Sequence, residues 1–238
     1  MLAGNNCKGF TVSKPILRAA IFDLDGTLID SEPNYYEADR RLLADYGVDF
    51  SVEMKKRFVG SGNVEMIQEV KRMYDLPDSV DVLLDKKNRY YMEIAEKSTQ
   101  AFPEMRKLVM AYHEAGVPLA VASGSSPDII EKLTRAVGLI DCFDLLISSE
   151  EVERAKPEPD VFLEAAKKLS VEPASCIVFE DSRYGVMAGK AAGMTVVAIP
   201  TDPDDPLPEP FYRADLLFEK GMEQFTAKAV LDRFPLSV

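Results

Sequence analysis

Five short segments constrain the architecture of this chain: AAIF (19–22), PLAVAS (118–123), DLLIS (144–148), CIVFE (176–180) and TVVAI (195–199). Each is almost continuously apolar, and together they are rich in β-branched residues. That is the pattern of strands covered on both faces. Helical patterns separate the later four. PDIIEKLTRAVG opens on Pro127 and closes on Gly138, PEPDVFLEAAKKLS opens on Pro157 and ends among lysines, and YGVMAGKAAG is a run of small residues able to lie close on a sheet. Strand, helix, strand, repeated, predicts an α/β fold built on a doubly wound parallel sheet.

One interval breaks the rhythm. Residues 34 to 100 are charged and carry apolar residues at three- and four-residue spacing in NYYEADRRLLADYG, NVEMIQEVKRMYDLP and SVDVLLDKKNRYYMEIAEKS. The expected organisation is a core domain (15–32 and 101–238) interrupted by an all-helical domain (33–100), with hinges near Glu32–Pro33 and Ala101–Pro103. Residues 1–14 are expected to be a flexible extension, and PTDPDDPLPEP (200–210) a surface loop.

The 238 residues are 47% hydrophobic, enough for such a core, and no apolar run approaches the ~20 residues of a membrane span. The first residues lack the apolar stretch of a secretory signal, and three widely spaced cysteines suit a reducing compartment, so a cytoplasmic location is expected. With 40 acids against 28 bases the net charge is −12, which argues against nucleic-acid and anionic-membrane partners. No obligate protein partner is implied. An anionic small molecule remains compatible, because a few local cations can reverse the potential inside one cleft.

Ligands of doubly wound sheets bind beyond the carboxyl ends of the strands. In RAAIFDLDGTLIDSEP, Asp23 and Asp25 leave the first strand there, followed by Gly26. Ser123 ends the second, Lys156 follows the third, and Glu180 and Asp181 follow the fourth. Carboxylates ~4 Å apart repel by about 4 kcal/mol at an effective dielectric of about 20, so a cation is required among them. Oxygen-only donors point to a hard divalent ion, and Mg²⁺ suits a site that keeps room for water and a phosphate oxygen. Asp23 would then be a nucleophile, and Asp25 the acid that protonates the leaving oxygen and later activates water. Ser123 and Lys156 would bind the phosphoryl group.

Competing readings are weaker. Counting Asp23 as first, Gly26 is fourth and Asn34 twelfth, where a calcium loop needs glycine sixth and glutamate twelfth. Val121 stands where a nucleophile elbow needs glycine. GVMAGKAA is one residue short of a P-loop, GSGNVE lacks the third glycine of a dinucleotide loop, and no cysteine has arginine six residues on. Glu180–Asp181 could cap the following helix. His113 reads as a surface residue and the run KKR (55–57) as a solvated face.

DLDGT, VASGS, AKPEP and FEDSRYG, in that order, resemble the four motifs of the haloacid dehalogenase superfamily, and the likeness runs from residue 16 to about 220. It implies a Rossmann-like core with a helical cap inserted between the first and second motifs. It implies Asp23 as nucleophile, Asp25 as acid/base, and Ser123, Gly124 and Lys156 as phosphate-binding residues. Asp23, Asp181 and Glu180 would form the Mg²⁺ site, to which Asp25 contributes its backbone carbonyl. Dehalogenases of the superfamily lack Asp25 and its phosphonatases have alanine there, so phosphate-ester chemistry is implied. β-Phosphoglucomutases are similar over core and cap, but Asn63 stands at the position of their cap arginine, and Ser126 and Pro127 at their Lys-Asn pair. The expectation is therefore a phosphatase of small phosphorylated metabolites such as sugar or polyol phosphates. A phosphomutase is the alternative, and a catalytically silent binding protein is less favoured because no motif position is degraded.

Overall fold

The computed structural model describes residues 17–58, 63–201 and 206–235. The N-terminal extension, part of the GSGNVE segment and Asp202–Asp205 of the 200–210 loop lie outside these residues. In chain order the elements are β1 (Ala19–Phe22), β2 (Ile29–Asp30), α1 (Glu32–Ala44), α2 (Val52–Lys56), α3 (Asn63–Tyr74) and α4 (Val80–Ser98). Then come β3 (Gln100–Ala101), α5 (Pro103–Glu114), β4 (Leu119–Ser123), α6 (Pro127–Ala136), β5 (Leu145–Ser148) and α7 (Asp160–Lys168). The chain continues through β6 (Cys176–Glu180), α8 (Arg183–Ala191), β7 (Thr195–Ala198), β8 (Leu216–Leu217) and α9 (Ala227–Arg233).

Six strands form one parallel sheet in the order β5-β4-β1-β6-β7-β8. Every residue of β1 is 0% exposed, and successive side chains enter opposite faces. Ala20 and Phe22 join the cluster that contains Leu108 of α5, Leu133 of α6 and Val230 of α9. Ala19 and Ile21 join Phe162 of α7 and Val186 of α8. Phe22 stacks on Phe179 of β6 with centroids 4.7 Å apart. Small residues bring α8 close: a Cβ on Gly189 would stand 2.7 Å from Val196 Cγ2. The sheet is thus doubly wound, as the five apolar segments predict.

After β1 the chain builds outward through β4 and β5, then returns to the other side of β1 with β6. The strand order therefore reverses about β1, which opens a crevice at the carboxyl ends of β4, β1 and β6. The helices α1–α4 are inserted between β2 and β3, which pair antiparallel as Ile29↔Ala101 and Asp30↔Gln100. Leu42, Phe50, Ile67, Val70 and Leu83 give the insertion an apolar cluster of its own.

Several local expectations need correction. α7 begins at Asp160 rather than Pro157, because Pro157, Glu158 and Pro159 form the turn that carries Lys156. The short β2–β3 ribbon, α2 and β8 are not visible as apolar periodicity, being two to five residues long. Lys55 is only partly solvated: it pairs with Glu32 at 2.6 Å, while Arg57 of the same run is exposed. His113 is exposed on α5, as expected.

Candidate active site

The turn after β1 carries Asp23 and Asp25 into the crevice. Gly26 sits at φ +76°, and a Cβ there would lie 2.2 Å from Asp181 Oδ2, so only glycine lets this turn approach the end of β6. Thr201, just past β7, fastens the same place by donating to Asp181 Oδ2 at 2.6 Å. The loop after β7 therefore starts inside the site rather than wholly on the surface.

Lys156 reaches back from the β5–α7 turn. Its Nζ lies 2.6 Å from Asp23 Oδ1 and 2.5 Å from Glu180 Oε1, and it donates to the Ala122 carbonyl at 3.1 Å. Burial alone would lower the affinity of this ammonium for its proton. The charges of Asp23 and Glu180 outweigh that and hold its pKa above the usual lysine value. Glu180, the last residue of β6, is fully buried and also accepts from Ser182 N and Oγ. It does not cap α8, because Ser182 does so by accepting from Gly185 N at 2.9 Å. Gly185 leaves the room Glu180 occupies: its Cβ would stand 1.8 Å from Glu180 Cδ.

Asp23, Glu180 and Asp181 each offer a carboxylate oxygen within 4.8 Å of the others'. Burial first, then the Lys156 charge pulling the other way, leaves the Asp23 carboxyl well above its ordinary pKa, with Glu180 and Asp181 adding to the rise. Asp181 is pushed up to about 7 by burial and by Glu180. Carboxylates so placed could hold a cation in place of protons. The donor set is all oxygen, as a hard divalent ion requires.

Asp25 is not part of that three-acid group. Its Oδ2 accepts from Ser125 Oγ at 2.9 Å and its Oδ1 from Tyr91 Oη at 3.2 Å. Ser31, whose hydroxyl does not cap α1 although it is the N-cap, also favours the charged form of Asp25. Burial raises the Asp25 pKa and these donors temper the rise. Ser123 ends β4 buried, its Oγ accepting from Ser125 N at 3.0 Å, and Gly124 is exposed with open space around it. All of Asp23, Asp25, Ser123, Gly124, Lys156, Glu180 and Asp181 thus belong to one strand-end crevice. A cavity of about 350 Å³ adjoins it, lined by Asp25, Gly26, Tyr35, Asp181, Tyr184 and Thr201 among others.

Sequence reasoning missed Ser125, Thr201 and Tyr91. Ser125 follows the SG of the second motif, and Thr201 lies three residues past the end of β7, so strand-end position could have found both. Tyr91 falls on the stripe Leu83, Lys87, Tyr91, Ile94, Ala95, the buried face of α4.

The site is thus a doubly wound sheet with two aspartates in the turn after β1 and a lysine locked to the first of them. Residues 17–193 match the family model described as haloacid dehalogenase-like hydrolase, and the chain belongs to that family. It is 32% identical over 216 residues to hexitol phosphatase B of Escherichia coli strain K12, covering 90% of this chain and 96% of that protein. It is 38% identical over 191 residues to the bifunctional riboflavin kinase/FMN phosphatase of Arabidopsis thaliana, covering 80% of this chain but only 50% of that longer protein. A Thermotoga maritima structure provisionally named a β-phosphoglucomutase superposes with a TM-score of 0.78 at 25% identity, covering 91% of this chain and 97% of that one. Among the described residues no helix is long and apolar enough to cross a membrane.

Proposed function

We propose that the protein is a Mg²⁺-dependent phosphatase of small phosphorylated metabolites, sugar or polyol phosphates in particular. The observation that carries this reading is Lys156 bound between Asp23 and Glu180, with Asp181 completing an oxygen cluster at the point where strand order reverses. Asp23 attacks phosphorus while the bond to the leaving oxygen breaks, and the electron pair departs on that oxygen. Asp25 gives that oxygen its proton. A water then attacks the aspartyl-phosphate, Asp25 takes the proton of that water, and the Asp23–phosphorus bond breaks to release phosphate. Ser123 and the Gly124 backbone bind phosphoryl oxygens, and Lys156 neutralises charge between nucleophile and phosphoryl group. Asp23, Glu180 and Asp181, with the Asp25 carbonyl, would hold Mg²⁺, which supplies Lewis-acid neutralisation of the phosphoryl oxygens when bound. Residues 33–100 act as a cap over the core (15–32 and 101–238), excluding water during transfer.

The named relatives support this class of substrate, the fold of the Thermotoga protein being compatible with a phosphomutase as well. Asn63 disfavours the mutase, because its Oδ1 accepts from buried Lys87 at 2.9 Å and offers no charge to a second phosphate. Phosphate release should be measured across sugar, polyol and nucleotide monophosphates, with and without Mg²⁺, following glucose 6-phosphate formation from β-glucose 1-phosphate in parallel. Mg²⁺-dependent release from a narrow group of sugar or polyol phosphates is expected. Isomerisation without release would overturn the assignment.

A further inference from the structure

The proton partner of the proposed reaction is held from two parts of the molecule. Ser125, which donates to Asp25 Oδ2, belongs to the loop after β4 in the core. Tyr91, which donates to Oδ1, stands in the middle of α4 in the helical insertion, 3% exposed. Its ring stacks on Tyr35 of α1 with centroids 4.2 Å apart and planes 16° apart. Tyr91, Ile94 and Ala95 join the apolar cluster that contains Phe22 and Leu24, so this part of α4 is seated on the core beside the catalytic turn. Packing does not call for the hydroxyl, since phenylalanine would stack on Tyr35 equally well. A buried hydroxyl must find a partner. Here the partner is Asp25, and Tyr35, on which the ring stacks, lines the cavity.

We infer that Tyr91 is a positioning residue for the general acid: its hydroxyl, carried by the helical insertion, holds Asp25 in the orientation that delivers a proton to the leaving oxygen. The inference rests on Asp25 being the acid of an aspartyl-phosphate mechanism. Tyr91 gains and loses no proton. It fixes one carboxyl oxygen while Ser125 fixes the other, so acid catalysis depends on the insertion being docked on the core. Removing the hydroxyl leaves Asp23, Lys156 and the acidic cluster in place.

The test exploits the leaving group. kcat/KM reports steps up to phosphoryl transfer to Asp23, and the p-nitrophenolate ion departs without needing a proton, whereas a sugar or polyol alkoxide does not. Tyr91→Phe is expected to lower kcat/KM by roughly 10- to 100-fold on the best sugar or polyol phosphate, and by less than about 3-fold on p-nitrophenyl phosphate. Equal losses on both esters, or no loss on the alkyl ester, would overturn the inference. If Tyr91→Phe does not fold, 3-fluorotyrosine at position 91 keeps the ring and alters the hydroxyl's acidity, and the ratio of the two kcat/KM values must then shift. A wild-type protein inactive on both esters overturns the phosphatase assignment itself. That result is distinct from an active wild type whose variant shows no leaving-group dependence.

Discussion

Two buried lysines lie in different halves of the molecule, and their partners differ. Lys87 of α4 is 2% exposed and pairs with one carboxylate, Asp39 of α1, at 2.6 Å. Among the described residues its other hydrogen-bond and ring partners are uncharged: Asn63 Oδ1 at 2.9 Å, Met66 Sδ at 3.9 Å and the ring of Tyr35. One ammonium meets one carboxylate, and the charges close. Lys156 pairs with two carboxylates, and Asp181 stands within reach of both. There the acids outnumber the base, and Asp25 lies beyond. A buried pair that balances is a structural feature of the insertion, whereas a buried cluster in excess of acid is a place where a further cation belongs.

That contrast can be broken first on activity. Asp23→Asn should lower phosphate release by on the order of 10⁴-fold or more, since it removes the nucleophile itself, while leaving circular dichroism and the unfolding transition intact. Activity near wild type would remove Asp23 from the mechanism. On the other side, Lys87→Met should cost about 3–5 kcal/mol in urea unfolding by leaving Asp39 buried and unpaired, and adding Asp39→Leu should recover most of the loss. A loss below about 1 kcal/mol for Lys87→Met would show that the pair is already open to water.

Smaller effects sharpen the same contrast. Mg²⁺ at 100 times its Kd should stabilise the protein by about 2.7 kcal/mol, seen as a raised thermal midpoint that Asp181→Asn largely abolishes and Lys87→Met leaves in place. The smallest effect belongs to a partly exposed carboxylate with two cations. Glu37 accepts from Arg40 Nε at 2.7 Å and Arg41 Nε at 2.9 Å, which lowers its pKa from 4.5 to about 2. Its folded value is depressed, so its contribution is complete above pH 4.5 and disappears as the pH falls toward about 2. Glu37→Gln should lower stability by a few tenths of a kcal/mol above pH 4.5, and the difference from wild type should vanish as the pH falls toward about 2.

The core site was legible because sheet topology does the placing. Once AAIF, PLAVAS, DLLIS and CIVFE are parallel strands, whatever follows each of them must converge, and Asp23, Asp25, Ser123, Lys156, Glu180 and Asp181 do converge. The insertion was legible only as helices. Asp39 sits beside Arg40 and Arg41, and Lys87 beside Lys86, so both read as solvated charge. Yet Leu83, Lys87 and Tyr91 recur every fourth residue, a spacing that puts all three on one face. What periodicity cannot supply is the partner across the interface, which is why Tyr91 at Asp25 emerges only from the fold. The short ribbon of β2 and β3 was invisible for another reason: two residues per strand carry no period.

The most direct test of the strand-end cluster as the reaction centre is to stop turnover of a sugar phosphate in acid and map the covalent phosphoryl group by peptide mass spectrometry. An adduct on Asp23, formed with Mg²⁺ and absent without it, is the predicted result. Rapid turnover with no adduct on Asp23 at any quench time, or an adduct on another residue, would contradict it.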